Sequence, residues 1–422
     1  MHRSVSAAEK NIEGWSKRVR IAYINSVAGY GSTGRLIDQL GRMEGIESKV
    51  YFGRKKNLSD LDTYRMTGFF GNVNHALHTF LFDNHAFCNT GETEKMLKDL
   101  DRFHPDLVHL HNIHGYYIDA ETLFRHLKEM DIPVVWTLHD CWAFTGHCAH
   151  YEAVGCDQWK TGCDHCKNLR TYYPTFNGKH THDNYLRKKE AFTSLNHRLH
   201  LAVPSHWLKS QVLESFLKET DCTVISNGID LKQFYPMTSS FKADHGIEDK
   251  KLIVACSSIW TERKGLDQLT DISRHLPENC VLCVIGVTKQ QAKRFSGNTI
   301  CIQRTDSIRK LAEIYSAGDL FVNPTQEETF SLVNVESQAC GCPVATYRSG
   351  GSTEMISEKT GIIVRKNDID GMLKAIRDVS EGTRIFRKEN CVENAAGFSL
   401  DKMYDGYMNL YQRVLKEGVW RN

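Results

Sequence analysis

The chain has 422 residues, 41% of them apolar, and its 53 basic and 51 acidic side chains leave a net charge of +2. This length and composition predict two or three domains with ordinary globular cores. The balanced charge argues against a nucleic-acid-binding protein, which needs an excess of basic side chains. No apolar run approaches the roughly 18 residues that span a bilayer. Residues 1–18 lack the apolar segment of a secretory signal, so we expect a polar tail and a cytoplasmic protein.

A glycine-rich turn follows the first predicted strand, residues 19–25, and leads into a helix predicted over residues 35–43. Its spacing, Gly29-x-Gly31-x-x-Gly34, matches the dinucleotide-binding fingerprint, which brings backbone amides close to a phosphate. That fingerprint also needs an acidic residue after the second strand to bind a ribose, and residues 54–56 are Arg-Lys-Lys instead. We therefore do not expect NAD. Gly31 and Gly34 can still let the backbone approach a phosphate or a sugar.

Polar side chains end two further predicted strands of the first half. The strand over residues 105–112 ends in His111 and Asn112, with His114 shortly after it, and the strand over residues 132–140 ends with His139. In open parallel sheets, ligands bind beyond the carboxyl ends of the strands. We therefore expect His111, Asn112 and His114 to line a cleft.

An aromatic-rich helix is predicted within residues 68–87, where large apolar side chains recur at near-helical spacing. This spacing is more typical of a core helix than of a membrane face. A wall of the acceptor site is the second interpretation.

Of the five cysteines in the segment 141–170, four form the candidate zinc cluster, namely Cys148, Cys156, Cys163 and Cys166. Four thiolates at the spacing C-x7-C-x6-C-x2-C suit a tetrahedral structural zinc ion, and the Cys163-x2-Cys166 knuckle is the strongest part of the pattern. Unligated thiols and an iron–sulfur cluster remain alternatives. A closed four-Cys site leaves no open position for water, so we assign it no catalysis.

The second half restarts with a strand at residues 251–257 and alternates strands and helices, which predicts a second doubly wound α/β unit. Arg263 and Lys264 lie in the loop after this strand. Arginine offers a bidentate fork and lysine a point charge, so the pair suits a diphosphate.

The stretch 323–343 predicts a strand end, a polar loop with Glu328, a short helix with Glu336, and the next strand. We expect the Ser331 hydroxyl to cap the helix and Gly341 to end it in a left-handed turn. Helix amides favour an anion, whereas carboxylates accept hydrogen bonds from hydroxyls. Together these groups describe a site for a sugar nucleotide. The predicted donor-binding residues are Gly31, Gly34, Arg263, Lys264, Thr329, Phe330, Ser331 and Glu336.

The spacing Glu328-x7-Glu336, followed by Ala-Cys-Gly-Cys-Pro-Val, resembles the signature of the family-4 retaining glycosyltransferases. The resemblance implies that Glu328 holds the transferred sugar, that Glu336 holds the ribose, and that His139 sits beside the transferred sugar. It also matches Lys264 to a family lysine that precedes Gly-Leu. The family arginine falls at Ile259 here, so Arg263 would take its place.

The resemblance further implies a GT-B architecture, in which two Rossmann-like domains face each other across a cleft. Residues 19–235 would form the acceptor domain, completed by a helix within 396–422, and residues 236–395 the donor domain. The segments 138–148 and 159–163 resemble the branch that builds exopolysaccharides of the colanic-acid type. That branch implies a growing glycan as acceptor, carried on a lipid, and peripheral contact with the inner face of the membrane.

The implied reaction moves a sugar from a nucleoside diphosphate sugar to an acceptor hydroxyl with retention of configuration. Glu328 and His139 would be the catalytic-centre residues, the departing diphosphate would accept the acceptor proton, and no metal cofactor is expected for the chemistry. Two other functions stay open at this point. One is a sugar-nucleotide epimerase on the same architecture, and the other is a non-enzymatic, zinc-bearing scaffold protein.

Overall fold

The first half of the chain forms a seven-stranded parallel sheet in the computed structural model, which describes residues 18–57 and 59–419. The strand order is β3-β2-β1-β4-β5-β6-β7, so the order reverses between β1 and β4. The strands are β1 Val19–Asn25, β2 Ile46–Phe52, β3 Asp62–Arg65, β4 Leu107–Leu110, β5 Val134–Thr137, β6 Leu199–Val203 and β7 Asp221–Val224. The helices are α1 Gly31–Leu40, α2 Phe69–Phe82, α3 Thr90–Phe103, α4 Ala120–Met130, α5 Thr181–Thr193 and α6 His206–Leu213.

A second parallel sheet of six strands follows, in the order β10-β9-β8-β11-β12-β13, with its reversal between β8 and β11. Its strands are β8 Lys251–Cys256, β9 Cys280–Ile285, β10 Thr299–Ile302, β11 Leu320–Asn323, β12 Val344–Tyr347 and β13 Gly361–Val364. The helices are α7 Phe241–Asp244, α8 Leu266–Arg274, α9 Lys289–Ala292, α10 Ile308–Ala317, α11 Leu332–Ala339, α12 Ile369–Ser380, α13 Lys388–Ala396 and α14 Leu400–Val419. Two doubly wound units, as predicted, place ligand sites at the two reversal points.

The last helix, α14, returns to the first sheet and completes its core. Tyr407 and Tyr411 of α14 are buried beside β1, β4 and β5. The two ring nitrogens of His109 lie 2.7 Å from the Tyr411 hydroxyl and 2.8 Å from the Thr137 hydroxyl. A backbone bridge between Ile229 and the residue just before α14 marks where the chain crosses back.

Most predicted elements have the expected position, and the local errors have physical reasons. The bounds of β1 are those predicted, residues 19–25. Helix α1 begins at Gly31, four residues before the predicted start, so Gly31 and Gly34 lie in its first turn. The edge strand β3 was not predicted, because it has only four residues and none of them is buried.

The core interpretation of the aromatic-rich segment 68–87 is wrong for its helix. Phe69 is 71% exposed, Phe70 85% and Leu77 52%. The buried side chains of α2 are His75 and Thr79 instead.

Within the described ranges, no helix combines the length and the apolar character needed to cross a bilayer.

Candidate functional site

The loop between β11 and α11 brings two predicted cations beside two carboxyl-bearing residues. The Lys264 ammonium contacts the Glu328 carboxylate. The Arg263 guanidinium donates to the backbone carbonyl of Glu327 at 3.0 Å, and the Arg263 carbonyl accepts from the Gln326 amide at 2.8 Å. The sequence separates these groups by more than 60 positions, and the neighbouring strands β8 and β11 bring them to one sheet edge.

The amino end of α11 is not capped in the predicted way. Ser331 does occupy the N-cap position, but its hydroxyl makes no capping hydrogen bond. It accepts a 3.0 Å hydrogen bond from the buried Asn323 amide group, which also donates to Asn334. The N-cap side chain therefore leaves the first-turn amides of α11 unused, and these are the groups that bind anions at helix N-termini.

Thr329 and Phe330 contribute to this loop in different ways. The Thr329 hydroxyl donates to the backbone carbonyl of His139 at 2.9 Å, a contact between the two domains. The Phe330 ring is buried and lies 5.8 Å from the Phe398 ring, inside the core of the second domain. Only the backbone of Phe330 is thus available to a ligand.

Glu336 lies half-buried on α11 and receives a 3.4 Å hydrogen bond from the Tyr315 hydroxyl. Burial raises the pKa of Glu336 to about 7, against the opposing effects of Arg35 and Tyr315. Arg35 belongs to α1, so a cation on the glycine-rich helix of the first domain acts on Glu336 of the second domain.

Gly31 and Gly34 of the fingerprint need to be glycine for different structural reasons. Gly31 has a φ of +67°, and a Cβ added to it would meet nothing within 4 Å, so the backbone conformation and not the available space favours glycine there. A Cβ on Gly34 would lie 3.1 Å from the Gly29 nitrogen and 3.2 Å from a Val27 methyl group. Gly34 therefore allows close packing of α1 on the preceding turn.

The predicted polar strand ends meet at the carboxyl edge of the first sheet. His111 Nδ1 lies 3.0 Å from His139 Nε2, and the two rings are stacked. Burial lowers the pKa of His139 to about 4 and holds the pKa of His111 well below its usual value, so both imidazoles are neutral near pH 7. A cavity of about 10 Å³ lies between these strand ends, lined also by Asn112 and His114.

His114 and Asn112 have fixed partners near this cavity. His114 Nε2 lies 3.1 Å from the Asp140 carboxylate, and its other ring nitrogen contacts the Tyr173 hydroxyl. Burial disfavours the Asp140 carboxylate, but the His114 contact and the Trp142 amide outweigh it and hold the Asp140 pKa well below its usual range. The Asn112 backbone amide donates to the Asn25 side chain at 3.2 Å.

Direct contacts join the two domains beside the predicted site. The Glu354 carboxylate of the second domain accepts from the backbone amides of His206 and Trp207, at 2.8 and 2.6 Å, which caps α6 of the first domain. Lys366 lies 3.7 Å from the Glu152 carboxylate. With the contact between Thr329 and His139, these bonds place the predicted donor and acceptor halves against each other.

Two family models match successive halves of the chain. The model described as Glycosyltransferase Family 4 matches residues 34–233, and the model described as Glycosyl transferases group 1 matches residues 238–397. The chain belongs to the family-4 type of GT-B glycosyltransferases. The resemblance found in the sequence is confirmed.

Relatives and solved structures agree with this assignment. A protein of Escherichia coli K12 named "Putative colanic acid biosynthesis glycosyl transferase WcaC" is 24% identical over 348 residues, which are 79% of this chain and 82% of that protein. Sucrose-phosphate synthase from Thermosynechococcus elongatus superposes with a TM-score of 0.71 at 18% identity, covering 95% of this chain and all of that one. Anabaena HepE in complex with UDP gives 0.66 at 14% identity, covering 94% and 100%. These two structures show the shared fold.

The segment between β5 and α5 brings residues to the site of this glycosyltransferase that the sequence did not single out. Burial and the nearby Arg263 lower the pKa of His150 to about 3. Burial raises the pKa of Glu327, and the nearby backbone amides of Ala153 and Glu152 oppose this effect. Nothing in the local sequence of this segment, which is turns and short 3-10 helices, signals a contact with a loop more than 170 residues away.

The four clustered cysteines do not assemble into a metal site among the described residues. No group of three or more potential ligands there has the arrangement of a metal site. The side chains of Cys148 and Cys166 are hydrogen-bonded to each other, and this bond lowers the pKa of Cys166 to about 6. Burial raises the pKa of Cys163, and the Gly146 backbone amide and the buried Lys188 ammonium oppose this effect. The zinc site stays a prediction from spacing, which the zinc content of the purified chain and of Cys163→Ser would test.

Proposed function

We propose that this glycosyltransferase moves a sugar from a nucleoside diphosphate sugar to a hydroxyl of a growing surface glycan, with retention of configuration. The observation that supports it is the pairing of Lys264 with Glu328 at the amino end of α11, joined to His139 through Thr329. This arrangement sets a cation, a carboxylate and uncapped helix amides around one point of the interdomain boundary.

The diphosphate would bind to the cations and to the amino end of α11. Lys264 supplies a point charge and Arg263 a planar fork beside it. Negative charge grows on the diphosphate as the bond to the sugar breaks, so preorganised cations and amides stabilise the transition state more than the ground state. In this proposal these groups do the electrostatic work that a metal ion does in other transferases.

The sugar and the ribose would take the two carboxylates. Glu328 accepts hydrogen bonds from sugar hydroxyls, and Glu336, on the same loop-and-helix unit, accepts them from the ribose. His139 is neutral and stacks on His111, so it can bind a hydroxyl without adding a charge beside the cationic sugar. The bond from the anomeric carbon to the diphosphate oxygen breaks, the bond to the acceptor oxygen forms on the same face, and the departing diphosphate takes the acceptor proton.

The acceptor would enter along the first domain, past Asn112 and His114. The Escherichia coli relative is named for colanic acid biosynthesis, and it aligns over most of both chains. On that basis we propose a growing exopolysaccharide chain linked to a lipid as the acceptor class. The donor nucleotide would be held by the second domain, and the backbone at Gly31 and Gly34 of the first domain would approach its phosphates or its sugar.

A thermal-shift panel of UDP, GDP, ADP, CMP and NAD, each with and without EDTA, tests the donor part. A nucleotide at 100 times its dissociation constant adds about 2.7 kcal/mol of stability. We expect one nucleoside diphosphate to raise the melting temperature clearly, equally with and without EDTA. A response to NAD alone, or to none of the diphosphates, would refute the proposal.

An anomeric assay of the product tests the transfer itself. The sugar donor identified by the panel is supplied with a lipid-linked oligosaccharide, and the new linkage is examined by NMR. Retention means the same anomeric configuration in the donor and the product. Inversion would remove the proposed mechanism, and donor consumption without acceptor would favour an epimerase.

A further inference from the structure

Helix α2 has its apolar side facing outward. Seven exposed side chains of this helix are large and apolar, and the exposed Phe176 extends the same surface. We call this surface the α2 face; its members are Phe69, Phe70, Val73, Leu77, Phe80, Leu81, Phe82 and Phe176. A helix of a globular protein normally buries its apolar side, so a contiguous exposed apolar surface of this kind marks an interaction site.

The inward side of α2 is polar, and its hydrogen bonds fix the helix in this orientation. His75 accepts a 3.0 Å hydrogen bond from the Ala86 backbone amide, and the Asn72 side chain donates to the Tyr116 carbonyl at 2.9 Å. The Phe176 backbone amide donates to the Phe80 carbonyl at 2.7 Å, which braces the outer end of the helix. Rotating the helix to bury its phenylalanines would break these bonds, so the exposure is built into the fold.

The charges next to the α2 face are basic. Residues 63–82 and 167–182 contain the exposed cations Arg65, Lys167, Arg170 and Lys179 and no Asp or Glu. Of the acids that directly flank these stretches, Asp62 and Asp183 pair with Lys49 and His180. Asp83, the acid that directly follows α2, is buried and pairs with His147. An apolar surface with a basic rim complements a bilayer with anionic headgroups, because the acyl boundary takes the apolar groups and the headgroups take the cations.

A second copy of the chain fits this surface less well. Two α2 faces packed on a two-fold axis would bring the basic rims of both copies together, with no acid in either stretch to pair with them. Like charges at that distance oppose association. The helix also has no Asp, Glu, Lys or Arg of its own to set a register with a partner helix.

Helix α2 adjoins the acceptor side of the cleft through its inward side. The His75 ring lies 6.0 Å from the Tyr116 ring, and Tyr116 lies 5.4 Å from Tyr173. Tyr173 in turn contacts His114 at the predicted acceptor site. A bilayer on the α2 face would therefore be separated from the predicted acceptor site by the diameter of one helix, roughly 10–12 Å.

We propose that the α2 face docks on the surface of a bilayer that contains anionic lipids. That this bilayer also carries the acceptor rests on the function proposed above. The docking itself does not depend on catalytic activity. The helix lies on the membrane with its phenylalanines at the headgroup and acyl boundary, and Arg170 and Lys179 contact the anionic headgroups.

Co-sedimentation of the full chain with vesicles tests the inference. Vesicles of phosphatidylcholine alone are compared with vesicles in which a third of the lipid is phosphatidylglycerol. We expect binding to the anionic vesicles that weakens with salt. The double variant Phe70→Ser/Leu77→Ser should bind about tenfold more weakly or worse, because both side chains lose their apolar contact with the bilayer.

Ile385→Ser is the matched control, since Ile385 is 82% exposed in the second domain, and its binding should equal that of the unmodified chain. The variant Arg170→Gln/Lys179→Gln should lose binding only to the anionic vesicles. It provides an independent test if Phe70→Ser/Leu77→Ser does not fold. Equal vesicle binding by all variants would overturn the inference. So would a concentration-dependent dimer that Phe70→Ser/Leu77→Ser abolishes, without vesicle binding.

The nucleotide shift panel on the same variants separates this inference from the function. If Phe70→Ser/Leu77→Ser keeps the nucleotide shift and loses vesicle binding, both proposals stand. If the unmodified chain binds vesicles through the α2 face but responds to no nucleotide, docking stands and the transferase proposal fails.

Discussion

The donor and acceptor sides of the cleft are assembled in different ways. On the donor side, one continuous stretch from β11 to the turn before Glu354 supplies most groups, and the loop after β8 adds Arg263 and Lys264. The acceptor side draws on several separate segments, which meet only in the folded chain. A short stretch of sequence can therefore encode the site for a ligand part that is constant, such as a diphosphate. The site for a variable ligand is built from residues that lie far apart in the sequence.

The electrostatics of the two sides differ as well. The donor side pairs full charges, as between Lys264 and Glu328. The acceptor side stacks imidazoles whose pKa values burial lowers, as in His111 and His139. A charged region suits a leaving group that gains charge, and a neutral region suits the orientation of a hydroxyl. Variants that act on only one side should therefore separate turnover from binding.

The largest effect is expected from Glu328→Gln. This change keeps the shape of the side chain but removes the charge that contacts Lys264 and, in the proposal, orients the sugar. Turnover should fall by about 10² to 10³-fold, the range seen when a preorganised electrostatic group is lost. Steady-state kinetics measure this, with Glu313→Gln on α10 as the control. Turnover within a factor of two of the unmodified enzyme would remove Glu328 from the site.

Because the pKa of Glu336 is about 7, lowering the pH should weaken nucleotide binding and at the same time raise the contribution of Glu336 to stability. In the proposal the Glu336 carboxylate accepts hydrogen bonds from both ribose hydroxyls, which the protonated acid cannot do, so nucleotide affinity should fall by up to about tenfold for each pH unit below 7. The folded chain takes up this proton before the unfolded chain does. The contribution of Glu336 to the free energy of unfolding therefore rises as pH falls from 7 toward 4.5.

Calorimetric titration of the nucleotide between pH 5.5 and 8.5 measures the affinity, and thermal melts over the same range measure the stability. Glu336→Gln should flatten both profiles. If the variant keeps the affinity profile of the unmodified chain, another group controls nucleotide binding.

A stability effect without loss of chemistry is expected from Glu354→Gln. The Glu354 carboxylate caps α6 across the domain boundary, and loss of an N-terminal cap costs about 0.5–2 kcal/mol. The melting temperature should fall, while turnover at low temperature changes little. Glu358→Gln, at an exposed position of the same segment, is the control. Equal melting temperatures for both variants would show that the cap contributes nothing in solution.

The smallest effect is expected from Lys366→Gln. Its ion pair with Glu152 is 3.7 Å long and both side chains are partly exposed, so the pair should contribute at most about 1 kcal/mol. Denaturant unfolding should show a small shift that disappears at high salt. A loss larger than that of Glu354→Gln would mean that this contact, and not the cap on α6, governs the domain boundary.

Much of the fold was predictable because both domains repeat short buried strands and amphipathic helices. The strand bounds of β12 and β13 follow directly from apolar runs between turn residues. The left-handed Gly341 at the end of α11 was also predicted and is observed, with a φ of +83°. These features depend on neighbours in sequence, which the sequence displays.

The rest depends on tertiary competition. Ser331 was expected to cap α11, but the buried Asn323 needs a partner and takes its hydroxyl. The apolar residues of α2 were expected in the core, but the polar partners of His75 and Asn72 lie on the protein side and turn the helix around. Periodicity locates an apolar stripe on a helix; it does not say which side the protein occupies.

The return of α14 to the first sheet has a consequence for synthesis. Domains generally fold as they leave the ribosome, in order from the amino terminus. Here Tyr407 and Tyr411 supply part of the first core, and the Tyr411 hydroxyl is a hydrogen-bond partner of the buried His109. The domain that is made first therefore cannot finish folding until the domain made second has been translated. A nascent chain halted after residue 396 would carry a completed second sheet and a first sheet whose core still lacks Tyr407 and Tyr411.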